Sequence, residues 1–93
     1  MDRNTAETMA IMAFSFLIED DERRDRFLAL TGTQPDQLRA AIGQPSFQGA
    51  ILDYLGTDER VLTAFAASAA IDPGDIERAR TALAGRRWER DGA

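Results

Sequence analysis

The pattern of apolar and polar positions centres on one run, Met9-Ala10-Ile11-Met12-Ala13-Phe14-Ser15-Phe16-Leu17-Ile18. At about 100° per residue, a helix through it is apolar in nearly every direction. Thr8, Ser15 and Glu19 form a single narrow polar strip, and Phe14 and Phe16 lie on nearly opposite sides. Such a helix has to be buried against several neighbours. The rest of the chain reads as one-faced helices that can supply that cover.

Asn4, with Glu7 three residues on, predicts an N-cap and capping box for the first helix, which then runs to about Ile18. The acidic stretch Glu19-Asp20-Asp21-Glu22 offers Asp20 or Asp21 as the next cap. Phe27, Leu28 and Leu30 give the second helix its inner face, and Gly32 its left-handed stop. Pro35 suits the first turn of a third helix with Leu38, Ala41 and Ile42 inward and Gly43 at its end. Pro45 opens a fourth helix carrying Phe47, Ile51, Tyr54 and Leu55 at i, i+4, i+7 and i+8, with Gly56 as its stop. Asp58 caps a fifth with Val61, Leu62, Phe65 and Ala69 inward. Asp72-Pro73 starts a sixth with Ile76, Ala79 and Leu83 inward, ending at Gly85. No stretch alternates with period two for long enough to make a strand. The expected architecture is therefore all-α: a compact bundle of about six short helices in one domain, residues 1–85. A polar tail, residues 86–93, contains Arg86, Arg87, Trp88 and Arg90.

The same features recur at one spacing. Phe27 and Phe65, Pro35 and Pro73, Leu17 and Leu55, Leu38 and Ile76, and Phe16 and Tyr54 each stand 38 residues apart. Residues 16–42 overlay residues 54–80 without a gap. This predicts two three-helix pseudo-repeats packed around a nearly fully buried first helix.

Composition removes much chemistry. With no cysteine there are no disulfides, thiolate metal sites or cysteine nucleophiles. The lack of histidine removes the commonest general base and metal ligand. Every basic residue is arginine, so Schiff-base lysine chemistry is excluded as well. The net charge of -5 argues against non-specific binding to nucleic acid or an anionic membrane. A run of ten residues is also too short to span a bilayer, and Asp2 and Glu7 spoil the basic start of a signal peptide. The expected location is the cytoplasm.

The residues also resemble a known family, the domain of unknown function 3572, made of small and mostly alphaproteobacterial proteins. The resemblance rests on the apolar first helix and Asp21-Glu22-Arg23, then Arg26-Phe27-Leu28-Ala29-Leu30-Thr31-Gly32, Pro35 and Leu38. It continues through Pro45, Phe47, Leu52-Asp53-Tyr54-Leu55, Asp58-Glu59, Ala64-Phe65-Ala66-Ala67 and Asp72-Pro73. In that family an aspartate commonly precedes each helix-starting proline, whereas Gln34 and Gln44 stand here before Pro35 and Pro45. Arg23 and Arg24 take the places that Val61 and Leu62 hold in the second repeat, where their stems can cover the core edge. The resemblance implies a small helical cytoplasmic protein and no activity.

Four groups could carry function. Residues 28–41 have the outline of a DNA-binding helix-turn-helix, a small turn residue followed by the apolar anchor Leu38; Ala70 and Ile76 copy it in the second repeat. Asp36 would there meet phosphate repulsion. The acidic cluster of Glu19, Asp20, Asp21, Glu22 and Asp25 lacks the ligand spacing and turn glycine of a calcium loop, and reads as a helix cap. Arg78, Arg80, Arg86, Arg87 and Arg90 beside Trp88 combine two residue types enriched in binding hot spots. Met9 and Met12 belong to the surplus apolar surface of helix 1, a contact face wherever helices 2 to 6 leave it uncovered. Ser15, Ser46, Ser68 and Tyr54 have no base spaced to activate them. The sequence thus points to a non-catalytic protein–protein interaction or self-association module, without cofactor, metal or small-molecule substrate. Its contact residues would be Met9, Met12, Arg78, Arg86, Arg87 and Trp88, and its partner another protein or a second copy in a homodimer. The alternative is a helix-turn-helix-like DNA-binding regulator.

Overall fold

The computed structural model describes the backbone of residues 1–92 and the side chains of residues 1–84. In order, the chain forms α1 (Arg3–Glu19), α2 (Asp21–Thr31), a 3-10 turn (Pro35–Gln37), α3 (Leu38–Ala41), α4 (Pro45–Thr57), α5 (Glu59–Ala69) and α6 (Pro73–Gly92). Among the described residues there is no strand, and no helix is long and apolar enough to cross a membrane. The protein is an all-α bundle.

Most helix starts are set by the residues the sequence singles out, whereas Gly56, expected as a stop, lies inside α4, which runs to Thr57. Asp20 caps α2 by accepting from the Arg23 amide at 2.9 Å. Asp58 caps α5 by accepting from the amides of Arg60 and Val61. Asp72 accepts from the Gly74 amide at 2.7 Å at the start of α6. The first helix differs from expectation. Its cap is Asp2, whose carboxylate accepts from the Thr5 amide at 2.7 Å. Asn4 lies inside the first turn, and Glu7 pairs with Arg3 at 3.6 Å instead of closing a capping box. The third helix shrinks to a 3-10 turn and four α-helical residues, with no fully buried side chain to extend it, although the Gln34 amide donates to Gln37 Oε1 at 3.1 Å at its entry. The helical backbone of α6 runs past Gly85, so that glycine does not end the helix. A single helical glycine costs only about 1 kcal/mol against alanine.

Two helices share the centre. Along their length α1 and α4 pack on each other, and α6 lies against both. On either flank, α2 covers α1 and α5 covers α4. From α1 the core takes Ala6, Met9, Ala10, Ala13, Phe16 and Leu17; from α4 it takes Ile51, Leu52, Tyr54 and Leu55. Phe27, Phe65, Ile76, Ala79 and Leu83 close it. Aromatic rings link the layers edge to face. Phe14 meets Phe47, Phe47 meets Phe27, and Phe27 meets Tyr54 with centroids 5.2 Å apart. On the other side Phe16 packs on Phe65 at 5.6 Å.

The first helix is not nearly fully buried. Ile11, Met12 and Ile18 are 45, 41 and 39% exposed and border an outward strip with Thr8, Ser15 and Glu19. That side of α1 borders α5, with Phe65, Ser68 and Ala69 beside it. Leu30, expected inward, is 68% exposed. The bounds of α2 and α5 are offset by 38 residues at both ends. Their caps Asp20 and Asp58, their buried Phe27 and Phe65, and their left-handed ends Gly32 (φ 71) and Ala70 (φ 56) share that offset. The third elements diverge, since α6 is a full packed helix and α3 a single turn.

Candidate interaction surface

Two surface features stand out, both built on α5. The first is an apolar groove of about 290 Å³ between α1 and α5, lined by Ile11, Met12, Ser15, Phe16, Glu19, Phe65, Ser68 and Ala69. Helical periodicity makes it. Positions 12, 15, 16 and 19 lie on one side of α1, and positions 65, 68 and 69 on the facing side of α5. The Phe16 and Phe65 rings form the floor. Arg23 lays its guanidinium carbon 4.4 Å from the Phe16 ring centroid, a cation–π contact that holds the ring in place. As the sequence suggests, Arg23 and Arg24 are half-buried along the core edge. Ser15 and Ser68 give the walls small, exposed hydroxyls, and Glu19 marks an acidic end that continues into Asp20, Asp21 and Glu22.

The second is a polar cleft of about 310 Å³ where the N-termini of α2 and α5 converge, lined by Asp20, Glu22, Arg23, Arg26, Tyr54, Asp58, Arg60 and Val61. Arg26 reaches Asp58 across it at 3.9 Å. Tyr54 is 6% exposed and its hydroxyl has no hydrogen-bond partner. Burial, and next the Asp58 carboxylate, raise its phenol above the ordinary value, with Arg26 opposing them. A phenol pushed in that direction stays protonated at neutral pH and is no nucleophile. Arg26 and Asp58 answer each other's charge across the cleft.

The structure scatters the contact residues expected from sequence. Met9 is 8% exposed and part of the core, so it offers no surface; its position places it on the side of α1 that faces the bundle. Met12 is on the outward side, in the groove. Arg78 is exposed but paired with Asp75. Arg80 spans α6 and α4 by reaching Asp53 at 3.1 Å, and also meets Glu77. The side chains of Arg86, Arg87 and Trp88 lie outside the described residues. The acidic cluster is spent locally, with Asp20 as the cap of α2 and Asp21 and Asp25 on Arg24 at 3.2 Å.

The helix-turn-helix outline falls on a short element in the first repeat and on an acidic helix start in the second. Its recognition element would be the 3-10 turn and the four residues of α3, with Asp36 exposed at the entry. In the second outline, α6 opens with Asp72, Asp75 and Glu77, and a recognition helix reads bases with its N-terminal residues. The α5 wall of the groove was not legible in the sequence. Ser68 and Ala69 look like ordinary helix filler until α5 lies beside α1.

No curated protein and no solved structure matches the chain in a comparison with known proteins. A family model does, over residues 3–86. With nearly the whole bundle inside that match, the chain belongs to the family described as "Protein of unknown function (DUF3572)".

Proposed function

We propose that this protein is a non-catalytic interaction module of the cytoplasm that works through the outward face of α1, binding a second copy or another protein. One observation carries the reading. Ile11 and Met12 remain about two-fifths exposed beside a groove with an aromatic floor, on the helix that is otherwise the centre of the core. Large exposed side chains gathered at a concave spot mark contact surfaces, whereas scattered ones do not. The absence of histidine, cysteine and lysine from the sequence supports a role without chemistry. On this reading the 38-residue repeat frames two helix triplets, and the open side of α1 lies beside α5.

The test is capture of partners from lysate of the source cell by the tagged protein, with and without nuclease, beside the Met12→Arg variant. A protein retained after nuclease and lost with Met12→Arg is the expected result. Equal capture by wild type and variant rejects this face as the contact. A signal abolished by nuclease moves the protein to nucleic-acid binding, to be followed by a salt titration.

A further inference from the structure

We propose that the polar cleft between the starts of α2 and α5 is a binding site for a carboxylate, held by Arg26, Arg60 and the Tyr54 hydroxyl with Arg23 at its edge. The cleft shares no lining residue with the α1–α5 groove and does not rest on the interaction reading above. Three observations lead to it.

The cleft holds a buried donor with nothing to bond. Tyr54 is 6% exposed, and its hydroxyl is closed to water and without a hydrogen-bond partner. An unpaired buried hydroxyl is costly and calls for an acceptor that the chain itself does not supply. The charges that act on the phenol are those of Asp58 and Arg26, so the hydroxyl lies beside their bridge. At 3.9 Å that bridge is too long for a hydrogen bond and is partly exposed, so it opens at little cost. An entering carboxylate takes the Arg26 guanidinium from Asp58 and gives the hydroxyl its acceptor.

The donors of the cleft are unspent and its acceptors are not. Among the described residues, the guanidinium groups of Arg23, Arg26 and Arg60 donate no hydrogen bond, and Arg23 only rests over the Phe16 ring. Asp20 already accepts from the Arg23 amide, and Asp58 from the amides of Arg60 and Val61. Arg23 and Arg26 stand three residues apart on α2 and share a face, and Arg60 joins them from α5.

Charge selects the ligand. Three arginines line the cleft with three acids, Asp20, Glu22 and Asp58, so the side chains sum to zero. The two helix starts add roughly +0.5 each, which leaves the cleft positive by about one charge. That answers one carboxylate and undercompensates a phosphate dianion beside three acids. A carboxylate also offers two oxygens with about four acceptor positions, which suits three guanidinium groups and a phenol. The volume, about 310 Å³, stands at the low end of ligand sites and fits a small acid or the tip of an acidic side chain.

The test uses the full chain. Tyr54 is the only tyrosine, so isotope-labelled tyrosine gives NMR ring signals that report this cleft alone. The probes are sodium acetate, an end-blocked peptide carrying one glutamate, and sodium phosphate, each titrated at constant ionic strength. Acetate and the glutamate peptide should shift the Tyr54 signals and saturate, with phosphate weaker. Tyr54→Phe and Arg60→Gln should each weaken binding by roughly tenfold, the scale of one hydrogen bond to a charged group. The backbone amides of residues 60 and 61 report binding where the tyrosine is gone. Arg60 is exposed, so Arg60→Gln keeps the fold and stands in if Tyr54→Phe does not. Arg39→Gln, at an exposed position on α3 outside the cleft, should leave binding unchanged. Tighter binding of the peptide than of acetate supports the site with an acidic side chain of a partner as its source; equal binding supports it with a small acid. No saturable shift with either carboxylate, tighter binding of phosphate, binding untouched by Arg60→Gln, or an equal loss in Arg39→Gln overturns the proposal.

Discussion

Single residues in this protein carry separable costs. Ala70 ends α5 in the left-handed region, at φ 56 and ψ 44, where a Cβ crowds the following carbonyl. Gly32 ends α2 in the same region without that crowding. Ala70→Gly should therefore stabilise the protein by about 0.5–1 kcal/mol, and Gly32→Ala should cost about 1 kcal/mol. A Cβ at Gly32 would meet no atom within 4 Å, so that loss is conformational and not steric. Urea titration of both variants checks the pair of signs. Tyr54 contributes differently, through an unpartnered buried hydroxyl and a raised phenol. At neutral pH the phenol is protonated in the folded and unfolded chain alike, and the shift has no effect on stability. Above about pH 10, the ordinary tyrosine value, the unfolded chain releases its proton first, and stability falls as pH rises through the folded value. Tyr54→Phe should leave neutral stability unchanged or improved and remove this alkaline loss. Denaturant titrations at pH 8 and pH 11 measure it, and a marked loss for the variant at pH 8 would show that the hydroxyl is bonded.

At the scale of elements, capping decides where each helix begins. The sequence offers two caps for α1, and Asn4 with its glutamate looks the better one. The chain uses Asp2, and so gains another half-turn of helix. The Thr5 amide holds the Asp2 carboxyl below the usual carboxylate range. A group lowered in this way stabilises the fold above its ordinary value, and the stabilisation is lost as pH falls through the lowered one. Asp2→Ala should lower the thermal midpoint at pH 7 while Asn4→Ala leaves it in place, and the gap between the two should close in acid. Thermal melts at pH 7 and pH 2 compare them. The third helix shows the opposite balance. Neither Gln34 nor Gln44 provides a carboxylate cap like those of α2, α5 and α6. Behind Gln44, α4 still forms in full because six of its residues are buried. Behind Gln34, α3 has no fully buried residue and stops after one turn.

For the whole molecule, a single small core has to hold every helix. Phe27 and Phe65 are each enclosed almost completely, one between α1 and α4, the other against Phe16. Phe27→Ala or Phe65→Ala should cost about 3–5 kcal/mol. Domains have about 5–15 kcal/mol in total, and one this small is near the lower figure. Both variants should be largely unfolded or melt far below wild type by circular dichroism; a mild shift would mean that the ring is not core. The same economy explains the open face. Five helices and a turn cannot enclose an apolar α1 on all sides, and the side left uncovered is the one with Thr8, Ser15 and Glu19.

Local chemistry was legible in the chain itself. Asp20, Asp58 and Asp72 as caps, Gly32 as a left-handed end, Pro35, Pro45 and Pro73 in first turns, and the inward stripes of α4, α5 and α6 all follow from neighbours within about four residues. These depend on backbone groups and helical periodicity, which a sequence states directly. Packing decided the rest. Which side of α1 stays open depends on how α2, α4, α5 and α6 pack around it. Whether Met9 or Met12 meets solvent depends on where α4 and α6 lie. The groove exists only because α5 runs beside α1 and sets Ser68 and Phe65 opposite Met12 and Phe16. Contacts between residues some 50 positions apart have no local pattern to announce them, since they are selected by the shared burial of several helices at once.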